Sequence, residues 1–313
     1  ELKFLNCIIK GGITERVKQM LDQLATERRN ERTMHLDDMS VEDVLRVMNA
    51  EDQTVATIIQ AQIPVIAEVV KHVIASFEKG GRLIYIGAGT SGRLGILDAA
   101  ECVPTFGVSP DMVVGLIAGG ERALIKAVEG AEDSQTLAVD DLKALQLEAR
   151  DTVIGIAASG RTPYVIGGLD YAKEVGAVTA AISCNTNAVI SRHARYAIEV
   201  ETGPEVLTGS TRLKAGTAQK LVLNMISTAA MIGVGKVYQN LMVDVQSTNE
   251  KLEIRAKRMI SEATGVDAVT AERVFSEANG HVKTAIVMIL ANIPYTEAVE
   301  RLQQANGFVR DAL

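Results

Sequence analysis

The chain has 313 residues and a net charge of −7, with 47% apolar and 23% charged residues. This balance excludes a long disordered chain. Six Tyr, five Phe, no Trp and an acidic net charge also disfavour a nucleic-acid binder, which needs basic patches and aromatic stacking platforms.

The first quarter of the chain has helical patterning. Residues 21–53 are charged and helix-prone, and Ser40 is followed three positions later by Asp43, a variant of the capping box that begins helices. Residues 54–78 place apolar side chains at helical spacing. We predict an N-terminal helical lead-in over residues 1–45, followed by a larger domain whose first helix lies near residues 54–78.

Short apolar runs alternate with helical stretches through the middle of the chain. Continuous apolar strands separated by helices indicate a parallel sheet covered on both faces. We predict an α/β domain over residues 46–248, with a doubly wound, five-stranded parallel sheet and a long last helix at about residues 217–238. The predicted strands are Leu83–Ile86, Met112–Ile117, Val153–Ala158, Val178–Ser183 and Tyr196–Val200.

After residue 248 the pattern contains helices only. Four helical stretches, separated by Gly265, Gly280 and Pro294, indicate a small UBA-like helical bundle over residues 249–313. We expect this bundle to pack or dimerise, since most appended bundles have no chemistry of their own.

The sequence favours a cytoplasmic protein. Its three cysteines, Cys7, Cys102 and Cys184, are odd in number and far apart, which fits reduced thiols better than a disulfide framework. The first residues show no basic region followed by an apolar run, so no secretory signal is predicted. The best uncharged stretch, Leu221–Gly235, is shorter than the ~20 apolar residues of a membrane helix, so no membrane partner is expected.

A glycine loop follows the first predicted strand. Residues 87–92 read Gly-Ala-Gly-Thr-Ser-Gly, the pattern of dinucleotide-binding folds, between a strand and a helix. A nicotinamide cofactor also needs an acidic residue at the end of the next strand. That strand runs into residues 117–120, and no carboxylate occurs before Glu121. We therefore expect no such cofactor.

The same design occurs a second time. Ser-Gly-Arg stands at residues 91–93 and at residues 159–161, each time between an apolar strand and a helix. A helix N-terminus exposes unpaired N–H groups, and loops after different parallel strands meet at one edge of the sheet. The pair favours a phosphorylated small molecule; the alternative is two ordinary turns with serine N-caps. The predicted phosphate-binding residues are Gly89, Thr90, Ser91, Ser159, Gly160, Arg161 and Thr162, and Gly87, Gly89, Gly92 and Gly160 are expected to let the backbone approach the ligand.

A third polar stretch opens the long helix. Residues 208–217 contain hydroxyls and two cations that suit an anion, although a capped helix start with solvated charges would look the same. From this region we add Ser210, Lys214 and the upstream Glu205 to the predicted substrate-binding residues.

Two carboxylates are candidates for acid/base chemistry. Glu101 lies in a largely apolar sequence context, and Glu132 begins an acidic pair shortly after Gly130. A carboxyl group in apolar surroundings holds its proton more readily, which suits a general acid. The alternative for Glu101 is a solvated helix residue. The four histidines are scattered, so neither a metal site nor a nucleophile–histidine arrangement is predicted.

These residues resemble those of the N-acetylmuramic acid 6-phosphate etherases, bacterial enzymes built on the sugar isomerase (SIS) domain. The resemblance extends over about residues 21–313 and leaves residues 1–20 outside. The matching segments are residues 26–30, 81–93, 97–102, 118–121, 128–133, 155–164, 209–220 and 240–245.

The resemblance implies a reaction of cell-wall amino sugar recycling. The D-lactyl ether of N-acetylmuramic acid 6-phosphate is cleaved to N-acetylglucosamine 6-phosphate and D-lactate, by elimination and then addition of water, with no metal or redox cofactor. It also implies that Glu101 protonates the departing lactate and that Glu132 is the other acid/base residue, which we assign to the C2 proton.

One distance constrains this interpretation. Ten residues separate Ser91 from Glu101, about 15 Å along a straight helix, which is longer than a hexose reaches from its phosphate. Either the helix is short or bent, or the site combines two subunits. We predict a homodimer with a shared site.

Two other functions stay open at this stage. One is a sugar-phosphate binder without catalysis, related to the glucokinase regulatory protein. The other is an aldose–ketose isomerase, which needs a base at C2 but no acid for a leaving group. The presence of Glu101 and Glu132, with a single SIS module, favours the etherase.

Overall fold

The computed structural model describes residues 24–126, 128–245 and 250–313. The first part of the chain forms an α/β domain, and residues 250–313 form helices only. The elements of the α/β domain are α1 (Val41–Ile59), α2 (Ile63–Glu78), β1 (Leu83–Gly87), α3 (Gly89–Phe106), β2 (Val113–Ile117), α4 (Arg122–Ile125), α5 (Gln135–Ala144), β3 (Thr152–Ile156), α6 (Pro163–Val175), β4 (Val178–Ser183), β5 (Tyr196–Glu199) and α7 (Lys214–Gly233).

The five strands form one parallel sheet in the order β2-β1-β3-β4-β5, as predicted. The chain passes from β1 to β2 on one side and then returns to β3 on the other side of β1. The carboxyl ends of β1 and β3 therefore form the switch point where open α/β sheets bind ligands. Gly87 is paired with Ile156, so the two Ser-Gly-Arg loops begin on strands about 4.8 Å apart.

Helices cover both faces of the sheet, because alternate strand residues point to opposite sides. Tyr85 and Ile154 are fully buried on the face covered by α1, α2, α3 and α7. Ile84 and Val153 are fully buried on the face covered by α5 and α6. This three-layer core fixes the edge of the sheet from which the polar loops extend.

Most of the described part of the predicted helical lead-in is not α-helical; α1 takes up only its last residues, 41–45. Residues 24–38 form three 3-10 turns, because their polar groups bond to distant loops instead of along a helix. Ser40 is the N-cap of the next helix, as expected: its hydroxyl accepts the Asp43 N–H at 3.2 Å, and α1 begins at Val41. The Asp43 carboxylate accepts the Ser40 hydroxyl at 2.6 Å, so only the first of the two capping-box bonds forms. Residues 1–23 of the lead-in lie outside the described residues.

The long helix α7 lies slightly earlier in the chain than predicted. It starts at Lys214 because the Glu205 carboxylate accepts the N–H groups of Lys214 and Ala215. It ends at Gly233, and Gly235 has a φ of +74°, a conformation that favours glycine after a helix end.

Within the described residues, the helical run Val41–Glu78 is long and apolar enough to qualify as a membrane span by length and composition. Helices in the core of α/β domains share those properties. The run contains charged residues such as Glu51 and Glu68, and Val55, Ile59 and Val73 are buried against the sheet and α7. One face of this run therefore belongs to the core of the α/β domain.

Residues 250–313 pack around a core of their own, which includes Ile260, Phe275 and Ile286. The predicted breaks are confirmed: Gly265 and Gly280 have positive φ values, and Pro294 precedes the next helix. The helices are α8 (Glu250–Thr264), α9 (Ala268–Glu277), α10 (Val282–Ala291), α11 (Tyr295–Gln304) and α12 (Val309–Ala312). The domain limits at residues 45 and 248 stay predictions, since α1 runs across the first and residues 246–249 are outside the description.

Candidate active site

The loop after β1 leads directly into α3. Gly89 is the first helical residue, is exposed and has a φ of +54°, with open space where a Cβ would stand. The side chain of Ala88 supplies no cap, so the start of α3 faces the edge of the sheet uncovered. Gly87 and Gly92 have a packing role, and their part in ligand approach stays a prediction. A Cβ on Gly92 would lie 2.7 Å from the Gly87 carbonyl oxygen, so these two glycines let strand and helix pack closely.

Ser91 and Thr90 face the beginning of α7. The Ser91 side chain is buried, and its hydroxyl donates to Gln219 Oε1 at 3.0 Å. The Thr90 methyl group lies 3.5 Å from the position of a Cβ on Gly216. Gln219 is also buried, and its Nε2 has no hydrogen-bond partner among the described residues. The start of α3 thus packs against the start of α7.

The helix after β3 does not offer free N–H groups at its start, contrary to the prediction for this loop. Pro163, the first residue of α6, has no N–H, and the Tyr164 N–H donates to the Glu132 carbonyl at 3.0 Å. Thr162 makes no capping bond. The side chains of Ser159, Arg161 and Thr162, all half-buried, are therefore the groups that this loop offers to a ligand.

Glu132 stands between two adjoining cavities. A first-loop cavity of about 310 Å³ is lined by Gly89, Arg93, Glu129 and Glu132 among others. A second-loop cavity of about 350 Å³ is lined by Glu132 together with the Ser159–Pro163 loop. Each has the size of a small-molecule site. The structure therefore brings Glu132 together with Gly89, Ser159, Arg161 and Thr162, as the sequence predicted.

Arg93 has a structural part in this arrangement. Its guanidinium group donates to the carbonyl oxygens of Ala123 and Leu124 at 2.7 and 2.9 Å. Arg93 thereby holds the short helix α4 against α3 and closes one wall of the first-loop cavity. The two arginines of the repeated tripeptide have different surroundings, since Arg161 lines the second-loop cavity.

The residues predicted in the third polar stretch make internal contacts. Glu205 is buried and caps α7 through two backbone N–H groups. Burial raises the pKa of the Glu205 carboxyl, while these two bonds and Lys214 oppose the rise. Lys214 is 3% exposed and its ammonium group pairs with Glu51, which also bonds Arg32. Burial raises the pKa of Glu51, but the hydrogen bond and charge of Lys214 outweigh it and the net shift is downward.

Neither Glu205, Lys214 nor Ser210 lines the two cavities around Glu132. Ser210 lies half-buried in the turn before α7. A cation and a carboxylate that looked like ligand groups in the sequence thus hold the start of α7 in place. Their assignment to substrate binding stays a prediction.

Thr26, Glu27 and Asn185, to which the sequence gave no individual role, lie at or beside the second-loop cavity. Thr26 is fully buried and makes two hydrogen bonds with Asn185. The Thr26 N–H donates to Asn185 Oδ1 at 3.4 Å, and Asn185 Nδ2 donates to the Thr26 hydroxyl at 3.0 Å. Asn185 also donates to the carbonyl oxygens of Ala158 and Ser159. These bonds place Glu27 in the wall of the second-loop cavity. The run Thr-Glu-Arg-Arg-Asn at residues 26–30 was the signal in the sequence. No local pattern links it to Asn185, which lies 159 residues after Thr26.

Glu101 lies apart from these cavities. Helix α3 runs unbroken from Gly89 to Phe106, which excludes a short helix, and Glu101 is on its exposed side. One turn earlier, buried Asp98 accepts hydrogen bonds from Tyr85 at 2.9 Å and Ser227 at 3.0 Å, which fixes the rotation of the helix. In one chain, Glu101 and Glu132 do not share a cavity.

Comparison with known proteins identifies the family. Residues 65–173 match the N-terminal SIS domain of the glucokinase regulatory protein, and residues 134–229 match the SIS domain. The chain is 79% identical over 294 residues to the N-acetylmuramic acid 6-phosphate etherase of an Exiguobacterium species, covering 94% of this chain and 100% of that protein. The chain belongs to the N-acetylmuramic acid 6-phosphate etherase family. The etherase of a Geobacillus species is 66% identical with the same coverage.

The fold of this etherase-family chain agrees with the SIS assignment. The matched segments contain all five strands and both Ser-Gly-Arg loops. Among solved structures, a phosphoheptose isomerase from Francisella tularensis is 16% identical, covers 62% of this chain and 99% of its own, and gives a TM-score of 0.48.

Proposed function

We propose that this chain is an N-acetylmuramic acid 6-phosphate etherase. It cleaves the D-lactyl ether at C3 of that sugar phosphate and releases N-acetylglucosamine 6-phosphate and D-lactate. The observation on which the proposal rests is 79% identity to a relative of that name along that relative's entire length. We place the reaction at the switch point of the sheet, where Glu132 and the two loops lie.

The sugar phosphate occupies the two cavities that meet at Glu132. The phosphate group lies at the Ser159–Thr162 loop, where two hydroxyls and the Arg161 guanidinium supply donors, and near the uncapped start of α3. The sugar then extends past Glu132, which lines both cavities. In this pose the Glu132 carboxylate lies beside the carbon atoms next to the ring-opened aldehyde.

The chemistry follows from the two carboxyl groups. Glu132 removes the proton at C2, which the neighbouring aldehyde acidifies, and the C3–O bond breaks as Glu101 gives a proton to the lactate oxygen. Water then adds at C3 and C2 is protonated, so the net change is ether plus water to alcohol plus D-lactate. One glutamate must begin ionised and the other protonated.

A coupled assay of D-lactate release from N-acetylmuramic acid 6-phosphate tests the function. We expect release that depends on the protein and on the 6-phosphate. Sugar-phosphate binding without any lactate would overturn the proposal in favour of a binder. Interconversion of aldose and ketose phosphates without lactate would overturn it in favour of an isomerase.

We also propose that the active form is a homodimer whose site is shared between subunits. An apolar groove of about 720 Å³ lies between α2 and α7, and Ile63, Met225 and Ile232 in it are 50%, 39% and 49% exposed. Asn224 lies in the same groove. Its amide donates to Asp98 at 3.2 Å and accepts from Lys220, and Asp98 is one helical turn from Glu101. A second copy seated in the groove would therefore lie close to the turn of α3 that holds Glu101.

Met225→Glu is expected to convert the dimer to a monomer, because the dimer would have to bury an unpaired carboxylate. Light scattering on the purified variant measures the mass, and the lactate assay should show activity falling with dimer content. Val269→Glu is the matched control, since Val269 is an exposed apolar residue of the helical bundle (79%). A Met225→Glu protein that stays dimeric would exclude this groove as the interface.

We place the enzyme in the cytoplasm, where thiols stay reduced. Cys102 and Cys184 are both buried and form no disulfide. Burial raises the pKa of each thiol to about 12, so both are protonated and unreactive at neutral pH.

A further inference from the structure

The N-terminal arm, residues 24–33, crosses the carboxyl edge of the sheet and is tied to it at three points. Thr26 exchanges hydrogen bonds with Asn185, the second residue after β4. Asn30 donates to the Pro204 carbonyl at 3.4 Å, and the Thr33 hydroxyl donates to the Val206 carbonyl at 2.9 Å. The arm is thus held by the loops that follow β4 and β5.

Glu27 is the charged residue that this anchoring places at the ligand cavity. It is half-buried and lines the second-loop cavity together with Glu132, Asp133 and Arg161. Its Oε2 lies 3.6 Å from where a Cβ on Gly209 would stand. Glu27 therefore sits between the phosphate loop after β3 and the polar stretch before α7, whereas Glu31, one turn along the arm, is exposed to solvent.

We propose that Glu27 is a specificity-determining residue that accepts hydrogen bonds from the neutral part of the sugar phosphate, its hydroxyl or amide N–H groups. A carboxylate is an acceptor only, so it suits O–H and N–H donors. With Arg161 and the hydroxyls at the phosphate, Glu27 selects for a sugar phosphate whose neutral part carries O–H and N–H donors. The assignment rests on the proposed sugar-phosphate site and goes beyond the two acid/base residues.

Kinetics of Glu27→Ala and Glu27→Gln with N-acetylmuramic acid 6-phosphate test the assignment. Charge-assisted hydrogen bonds predict a rise in KM of about ten- to a hundredfold for Glu27→Ala, with kcat nearly unchanged. Glu27→Gln should lie between Glu27→Ala and the unmodified enzyme, because the amide oxygen still accepts hydrogen bonds. Glu31→Ala is the matched control and should leave both constants unchanged, and thermal unfolding of each variant reports whether the fold is kept.

Calorimetry separates this assignment from the proposed reaction. N-acetylglucosamine 6-phosphate and glucose 6-phosphate are titrated into the unmodified protein, Glu27→Ala and Glu31→Ala. Weaker binding of both sugars to Glu27→Ala alone assigns the contact to a hydroxyl; weaker binding of the first sugar only assigns it to the acetamido N–H. Unchanged Kd values in Glu27→Ala, or a lower kcat with unchanged KM, would overturn the assignment. Absence of lactate release by the unmodified enzyme would instead refute the proposed reaction.

Discussion

Glu132→Gln is expected to lower kcat for lactate release by about a hundred- to ten-thousandfold, the contribution typical of a positioned acid or base. Glutamine has the shape of glutamate but does not take up the C2 proton. Because the backbone of residue 132 is bonded to Tyr164, the loop should keep its position in the variant. KM should change little, since we place the phosphate contacts at the Ser159–Thr162 loop and not at Glu132.

The assay is single-turnover lactate release, together with deuterium uptake at C2 of the product in D₂O. Glu132→Gln should lose both signals if it removes the C2 proton. Asp140→Asn is a suitable control, because Asp140 is an exposed carboxylate on α5 that lines neither cavity. Retention of half or more of kcat in Glu132→Gln would refute the base assignment.

Glu101→Gln is expected to reduce lactate release by a similar factor for a different reason. An ether oxygen leaves poorly unless it is protonated, and glutamine has no proton to give at this step. Removal of the C2 proton does not need this residue. Deuterium exchange at C2 of the uncleaved substrate should therefore continue in Glu101→Gln. An unchanged rate of lactate release would show that Glu101 is not the acid.

Mixing the two inactive variants tests whether the site is shared. In a dimer of one Glu101→Gln chain and one Glu132→Gln chain, a shared site keeps one intact pair of glutamates. Random reassociation makes half of the dimers mixed, each with one intact site, so activity should recover to about a quarter of the unmodified level. If both glutamates acted within one chain, every site would lack one of them and the mixture would stay inactive.

The unbroken course of α3 is the structural reason for expecting recovery. Ser91 and Glu101 are separated by about 15 Å along a continuous helix. Glu132 lines both cavities at the switch point, and Glu101 lines neither. A second chain is the simplest source of the missing acid.

Much of the fold followed from the sequence. Apolar runs at strand length, glycines before and after them, and helical spacing between them predicted the five strands to within two residues at each end, because these signals are local. The failures have one cause. Residues 24–38 looked helical, yet Thr26, Asn30 and Thr33 bond to loops more than 150 residues away, and those bonds compete with a helix.

For the site, the sequence determined the chemistry: two loops of hydroxyls and glycines after parallel strands, two glutamates, and the family to which they belong. Tertiary structure alone decided which of these groups line the two cavities. Lys214 and Glu205, which the sequence suggested as substrate ligands, hold the start of α7 in the folded chain. Glu27, one charge in a polar cluster of the sequence, lines the second-loop cavity. A residue's type and spacing set what it is able to do, but its partners are chosen by contacts between distant segments, and those contacts form only when the chain has folded.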